Sequence, residues 1–173
     1  VGSGARLIIP PKAVVHSGGI HVAGTLEVAA SSNVPSEFLP PPGSAAPGTW
    51  GGLDFAPGAR GTVSGAIIRY GENGIQLRDA SPRIAETIIS ASRYEGLRCR
   101  GTAAPVVFRS EIRDSGRHGV MIEEQARPNL GDITNSVPTD DGQNRLTGNA
   151  GYDIHNSTAN DIFAQSNWWD STN

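Results

Sequence analysis

Arginine and carboxylate side chains crowd the middle of this sequence. Residues 69–127 contain ten arginines and eight acidic residues, whereas residues 128–173 contain one arginine and six acidic residues. Two carboxylates that flank a glycosidic bond can hydrolyse it. Glu123 and Asp153 are the candidate pair, because the repeat described below places them on one sheet in adjacent coils. Carboxylates are also common on the solvated face of a sheet, so the pattern favours a surface pair over a catalytic one.

A lyase is the second chemistry that these residue types allow. It removes a proton beside a sugar carboxylate that Ca²⁺ has neutralised, and Arg98 and Arg100 are the candidate bases. The acidic residues on nearby coils alternate with arginines and do not cluster, which disfavours this interpretation. Ca²⁺ binding is an expectation only for residues 140–144, Asp-Asp-Gly-Gln-Asn, whose spacing differs from that of an EF-hand loop and favours a polar turn.

Transition-metal and thiol chemistry have weaker support. The four histidines are scattered, with no two at a metal-ligand spacing, so no metal site is predicted. Cys99 is the only cysteine, which excludes an intrachain disulfide. Its place in the repeat predicts a buried, inert thiol that fills the core.

Composition narrows the function classes. The net charge of −3 argues against a nucleic-acid partner, and no run of 18 apolar residues is present to span a bilayer. With 22 glycines and 12 prolines among 173 residues, the chain is not a helical bundle. Because it starts at Val1 without Met, we expect a processed product or an excised domain.

A repeat of about 22 residues organises the chain. The pattern Gly-apolar-x-apolar begins at Gly52, Gly74, Gly96, Gly119 and Gly151, at intervals of 22, 22, 23 and 32 residues. Two further rows, each with intervals of 22 or 23 residues, run through Pro82, Pro105 and Pro128 and through Ile67, Ile89 and Ile112. Three short strand-like rows per repeat predict a three-sided coil whose turns stack on one another.

Alternation along each strand assigns the two faces. The first and third residues of the triplet after each glycine face the core, and the middle residue faces solvent. The predicted outward row is His21, Asp54, Gln76, Arg98, Met121 and Asp153. The next outward position adds Ala56, Arg78, Arg100, Glu123 and His155.

The same register extends upstream and sets the size of the domain. Residues 19–22 and 7–9 supply earlier rungs, so the chain should form about seven coils in a single domain over residues 1–173. At one strand spacing per coil the rod would be about 33 Å long. Insertions are expected near residues 30–49 and 132–143, where the intervals lengthen.

These motifs resemble the bacterial right-handed parallel β-helix repeat proteins of the pectin-lyase-like superfamily. The resemblance covers nearly the whole chain and is carried by residues 20–26, 48–53, 128–131 and 149–156, the coil signature Gly-Ile…Ser-Pro-Arg-Ile…Thr-Ile-Ile-Ser…Gly-Leu, and Asn167-Trp168-Trp169-Asp170. Asp170 departs from the glycine usual in the family. The resemblance implies an all-β, right-handed parallel β-helix and says little about function, because this fold carries many activities.

The resemblance also implies where a ligand would bind. In pectin-degrading relatives the corresponding sheet face and its loops hold the polysaccharide. By that resemblance the ligand-binding residues are Arg78, Arg93, Tyr94, Arg98, Arg100 and Arg117. The favoured alternative is that these arginines pair with neighbouring carboxylates as a solvated ladder, which contributes little. The tryptophans are predicted to be structural, with at least one of Trp168 and Trp169 capping the last coil.

The sequence therefore favours a non-catalytic module of a larger secreted or cell-surface protein, either a rigid scaffold or a segment that binds a polysaccharide or cell-surface glycan. The alternative is a lyase or glycoside hydrolase acting on acidic polysaccharide. A third possibility is self-association through the coil ends into a filament or stalk.

Overall fold

The computed structural model describes residues 1–170 and is all-β over that range. Its strands are short, no helix occurs among the described residues, and the strands form three sheets in which all neighbours are parallel. Up to Ile122 the chain visits the sheets in turn, so the next strand of each sheet arrives after about one repeat, and the last three strands alternate between two of the sheets. This arrangement confirms the all-β prediction and is compatible with a parallel β-helix.

The three sheets are named A, B and C in the order in which the chain first reaches them. Sheet A comprises β1 (Arg6–Ile9), β4 (Thr25–Ala29), β7 (Arg60–Ser64), β10 (Arg83–Ala85) and β13 (Val106–Phe108). Sheet B comprises β2 (Val14–His16), β5 (Ser36–Leu39), β8 (Ala66–Arg69), β11 (Ile88–Ser90), β14 (Glu111–Arg113), β16 (Arg145–Thr147) and β18 (Trp168–Trp169). Sheet C comprises β3 (Ile20–Val22), β6 (Leu53–Phe55), β9 (Ile75–Arg78), β12 (Leu97–Arg100), β15 (Val120–Ile122) and β17 (Ile154–Asn156).

The core is a stack of inward-facing apolar side chains, one set per coil. In sheet C, Cys99 lies between its register partners Leu77 and Ile122, and all three are buried. Burial raises the pKa of the Cys99 thiol, which keeps it protonated and unreactive. The predicted alternation and the predicted buried cysteine are confirmed.

One predicted row of sheet B is wrong by one residue. The inward partner of Ile89 is Ile68, whereas Ile67 pairs with Ile88 on the outer face. Ala66 already faces the core at 1% exposure, so alternation turns Ile67 outward.

The register of the last strand of sheet C also differs from the prediction. Met121 pairs with His155, so the outward row ends on His155 and not on Asp153. The sequence pattern treated Tyr152 as the inward apolar residue, but this ring lies in the turn before β17 and is 59% exposed.

The corner between sheets A and B is sharp because one residue per coil adopts the left-handed conformation. Gly65, Glu86, Arg109 and Gln143 occupy this position, with φ between 49° and 61°. Directly after it, buried polar side chains tie neighbouring coils together. The backbone N–H of Thr87 donates to Ser110 Oγ at 3.2 Å, and that of Ser110 donates to Asn144 Oδ1 at 3.0 Å.

The two predicted insertions have different structures. Residues 30–49 include β5, a regular strand of sheet B, which divides the segment into a turn before Ser36 and a longer loop after Leu39. Residues 132–143 contain no strand. Trp50, at the end of the first loop, is buried, and its Nε1–H donates to the carbonyl of Arg69 at 2.6 Å.

Candidate functional site

The outer face of sheet C collects most of the residues that the sequence singled out. Its central row is His21, Asp54, Gln76, Arg98, Met121 and His155, one residue from each strand. Because the strands are parallel and in register, neighbouring members lie one strand spacing apart, about 4.8 Å. The row has three parts with different chemistry.

The first part is a shallow cleft whose polar side chains are held by one another. Asp54 Oδ2 lies 2.8 Å from His21 Nδ1, and Asp54 Oδ1 accepts a hydrogen bond from Gln76 Nε2 at 3.2 Å. Asn73 Nδ2 donates to Gln76 Oε1 at 3.4 Å. We call these four side chains, with Glu72 beside them, the polar cleft; it encloses about 480 Å³.

Glycines leave room for the cleft. Gly18, Gly19, Gly51 and Gly52 line its edge where larger side chains would fill it. Gly52 has a φ of 76°, and a Cβ there would lie 2.0 Å from the carbonyl oxygen of Asn73. Gly52 is therefore required by the close approach of two coils as well as by its backbone conformation.

The middle part is a ladder of ion pairs. Arg98 Nε and Nη2 donate to the two carboxylate oxygens of Glu123 at 2.7 and 3.2 Å. Arg100 lies 3.7 Å from Glu123 and 3.4 Å from Glu124. The hydrogen bonds from Arg98 lower the pKa of Glu123, and those bonds to Glu123 raise the pKa of Arg98.

The remaining predicted arginines differ in their partners, and one of them, Arg78, is the register partner of Arg100. Arg117 Nη1 lies 3.4 Å from Glu95, whose side chain is only 3% exposed. Arg93 packs over the ring of Tyr94 at 5.3 Å from its centroid. Arg78 is exposed and makes no salt bridge within residues 1–170. Arg98, Arg100 and Arg117 thus have carboxylate partners, whereas Arg78 and Arg93 have none among the described residues.

The third part is a cluster of His118, Tyr152 and His155, called here the His-Tyr cluster. The rings of His118 and Tyr152 are stacked with centroids 5.6 Å apart, and His155 meets both edge-on at 4.6 and 5.4 Å. The backbone N–H of Tyr152 donates to His118 Nδ1 at 3.0 Å. His118 therefore carries its proton on Nε2, which lies 3.2 Å from His155 Nδ1.

Asp153 is not part of the outer face. It is 6% exposed and accepts hydrogen bonds from Asn149 Nδ2 at 2.8 Å and the backbone N–H of Asp170 at 3.3 Å. Glu123 follows β15 whereas Asp153 precedes β17. Because these strands are parallel neighbours, the two carboxylates lie at opposite ends of the strands of sheet C. The predicted arrangement of these two residues as a pair is wrong, because the last coil enters the sheet two residues later than the glycine pattern indicates.

No three His, Cys, Asp or Glu side chains are grouped to hold a metal ion within the described part of the chain. In the predicted calcium segment, Asp140 Oδ2 accepts hydrogen bonds from the side-chain amides of Asn129 and Asn135, both at 3.1 Å. These bonds fit a polar turn that closes a loop. Calcium binding stays a prediction.

Sequence reasoning missed the His-Tyr cluster, which shapes one end of the face. The His-Tyr cluster joins residues 34 and 37 positions apart, a separation that the 22-residue period does not suggest. The signal was present in one row, since Asn73, Glu95, His118 and Tyr152 all stand two residues before a strand of sheet C. Aligning the last coil on Ile154 instead of Tyr152 would have found it.

Comparison with protein-family models, with curated proteins and with solved structures finds no match for this chain. Within residues 1–170 there is no helix that is long and apolar enough to cross a membrane.

Proposed function

We propose that this protein is a non-catalytic module that binds carbohydrate on the outer face of sheet C. The fold we propose is a right-handed parallel β-helix of about seven coils, of the pectin-lyase-like type, in a larger secreted or cell-surface protein. The resemblance of the coil motifs and the seven parallel strands of sheet B support this fold.

The observation that carries the proposal is the polar cleft. Sugar hydroxyl groups both donate and accept hydrogen bonds, so a surface of carboxylate, amide and imidazole groups suits them. Asp54 already holds His21 and Gln76 in place through its two oxygens. Because these side chains are ordered before a ligand arrives, binding costs less conformational entropy.

The His-Tyr cluster adds an aromatic surface at the other end of the face. Tyr152 is 59% exposed, and its ring is fixed by contacts with His118 and His155. An exposed, oriented ring can pack against the apolar face of a sugar while its hydroxyl stays solvated. A ligand that contacts both ends would be an oligosaccharide lying along the rod.

The state of the ion-pair ladder supports a non-catalytic role. A glycosidase acid must carry a proton at working pH, but Arg98 lowers the pKa of Glu123 and keeps it ionised. A lyase base must be able to lose its proton, but Glu123 raises the pKa of Arg98. Both candidates therefore suit structural or binding roles.

One observation favours the enzymatic alternative, a polysaccharide lyase or glycoside hydrolase. Glu95 is a buried carboxylate in the same row as His118, and Arg117 is its only salt-bridge partner within the described residues. Buried carboxylates paired with a single cation occur in active sites as well as in structural ion pairs. In such an enzyme Glu95 would take the role of second carboxylate that the sequence assigned to Asp153.

A binding and turnover screen tests the proposal. The full chain is titrated calorimetrically with neutral and acidic polysaccharides, and the same mixtures are followed for ultraviolet absorbance and new reducing ends. We expect saturable binding without turnover. Asp54→Asn and Tyr152→Ala should each weaken binding about tenfold, whereas Arg127→Gln, remote from sheet C, should not. Unsaturated or reducing products would establish the enzyme, and absence of both binding and turnover would overturn the proposal and leave a scaffold.

A further inference from the structure

The polar cleft on sheet C carries an excess of negative charge. The charged side chains that line it among the described residues are two carboxylates, Asp54 and Glu72, and neither an arginine nor a lysine lines it there. The other polar side chains are the imidazole of His21 and the amides of Asn73 and Gln76. Because His21 is a single titratable base, it can balance at most one of the two carboxylates.

The two carboxylates differ in what already binds them. Asp54 uses one oxygen for His21 and the other for Gln76. Glu72 is exposed, and its carboxylate makes no salt bridge or hydrogen bond within residues 1–170. Glu72 is therefore the acceptor that a ligand can engage without displacing a contact inside the protein.

The arginines around the cleft leave the charge of Glu72 unpaired. Arg78 lines a smaller hollow on the opposite side of the central row of sheet C, and Glu72 does not line that hollow. Arg98 is held by Glu123 at 2.7 Å, and Arg93 packs over a tyrosine ring. Within residues 1–170 none of these three arginines forms a salt bridge with Glu72.

We propose that the polar cleft selects a sugar that carries a protonated primary amine, with the ammonium group bound by Glu72 and sugar hydroxyls bonded to the amides of Asn73 and Gln76. An ammonium group donates three hydrogen bonds and accepts none, so it matches an unpaired carboxylate, and the opposite charges strengthen the bond. A sugar carboxylate would instead meet two like charges. The inference rests on the proposed binding of carbohydrate by the sheet C face, and it names the charge class of that carbohydrate. This class is the opposite of the acidic polysaccharide expected for a lyase or hydrolase.

Probes of equal length and different charge test the proposal. The full chain is titrated calorimetrically with a glucosamine tetramer, its fully N-acetylated form, tetragalacturonate and tetralysine, in a buffer that keeps the sugar amine protonated. N-acetylation keeps the ring and the linkage but removes the charge. We expect the glucosamine tetramer to bind about fivefold more tightly than the acetylated form. Tetragalacturonate should bind most weakly, tetralysine should bind more weakly than the glucosamine tetramer, and added salt should narrow these differences.

A matched pair of variants assigns the preference to Glu72. Glu72→Gln keeps the length of the side chain but removes its charge, so it should abolish the preference for the amine and leave binding of the acetylated tetramer unchanged. Glu27→Gln removes the same charge from β4 of sheet A and should bind every probe as the parent does. Because Glu72 is exposed, we expect Glu72→Gln to fold as the parent does, which circular dichroism checks.

The inference can fail in ways that differ from failure of the proposed function. Equal affinity for the glucosamine tetramer and its acetylated form, unchanged in Glu72→Gln, would leave the carbohydrate site in place and remove its charge preference. Equal weakening by Glu27→Gln, or tetralysine binding as tight as that of the glucosamine tetramer, would show general attraction of cations to an acidic protein. Tightest binding of tetragalacturonate would assign the face to an acidic ligand. If no sugar binds, here or in the polysaccharide screen, the proposed function itself is overturned together with this inference.

Discussion

Sheets B and C present two outer faces built on one core, and their outward residues differ. On sheet C, Glu123 and Arg98 neutralise each other across neighbouring strands. On sheet B, Ile67 and Ile88 lie outward and Arg145 has no salt bridge among the described residues. The inward residues fix the stacking in both sheets, so the outward residues are free to differ. The binding chemistry of such a rod is therefore decided by one residue in two along each strand.

The largest effect should come from the core, where the two sheets are alike. Ile89→Ala on sheet B and Leu97→Ala on sheet C each remove a fully buried side chain. We expect each to lower the free energy of unfolding by about 2–5 kcal/mol, through lost burial and a cavity. Urea unfolding followed by circular dichroism measures both. A much smaller loss for one of them would show that the inner halves of the sheets are not equivalent.

The next effect concerns the glycines that shape the polar cleft. Gly52→Ala places a methyl group 2.0 Å from a carbonyl oxygen of the next coil, at a φ of 76°. Gly58→Ala is the matched control, since its φ is 78° but nothing lies within 4 Å of the added Cβ. We expect the control to cost about 1 kcal/mol for its backbone conformation, and Gly52→Ala to cost clearly more. Equal unfolding midpoints would mean that the contact between these coils is loose.

The ion-pair ladder should contribute less than the core or the glycines. Glu123→Gln removes a bidentate pair between strands, and we expect a loss of about 1 kcal/mol because both side chains are partly solvated. Glu111→Gln on sheet B should cost less, because Arg113 keeps its second partner, Asp114. A double-mutant cycle with Arg98→Gln isolates the pair, and a zero coupling energy would contradict the ladder.

This pair also gives a direction for the pH dependence. The folded-state pKa of Glu123 lies below its usual value, so its contribution is complete above the unfolded-state pKa near 4.5 and is lost as pH falls through the folded-state pKa. Unfolding free energies of the parent should therefore decline in acid more steeply than those of Glu123→Gln.

The fold was predictable from the sequence because the core demands repetition. Cys99, Leu77 and Ile122 occupy the same inward position in successive coils, and each must match the shape of its neighbours. Spacing therefore revealed three rows even without a match to known proteins. The errors at Ile67 and Asp153 arose where an apolar residue faces outward, because spacing alone assigns every apolar residue to the core.

The candidate sites were less predictable, because outward contacts do not follow the period. Pairing between arginines and neighbouring carboxylates was expected, but the register partner of Arg98 is Met121 and its bonds run diagonally to Glu123. The contact between His118 and His155 depends on the length of the last interval. A groove on the outer face of sheet B, lined by Ile67, Ile88 and Trp168, depends on the turn of residues 31–35 and on the exposure of Trp168, which the sequence had suggested as a cap. Loop geometry, and not strand spacing, created both features.

The smallest expected effect is the pH dependence of the sheet C face. Burial is the main cause that lowers the pKa of His118, and His155 and Arg117 act in the same direction while Glu95 opposes them. As pH falls, the unfolded chain therefore binds a proton at His118 before the folded chain does. The contribution of His118 to stability is present above pH of about 6.5 and is lost as pH falls through its folded-state pKa.

A proton on Nδ1 of His118 would also remove the acceptor for the backbone N–H of Tyr152, so acid should loosen the His-Tyr cluster. We expect weaker ligand binding on sheet C at pH of about 5. His118→Asn keeps an acceptor near the Tyr152 N–H and should remove this pH dependence, whereas His16→Asn, on sheet B, should retain it. Ring titration by NMR checks the pKa directly, and an acid sensitivity that persists in His118→Asn would assign it to another group.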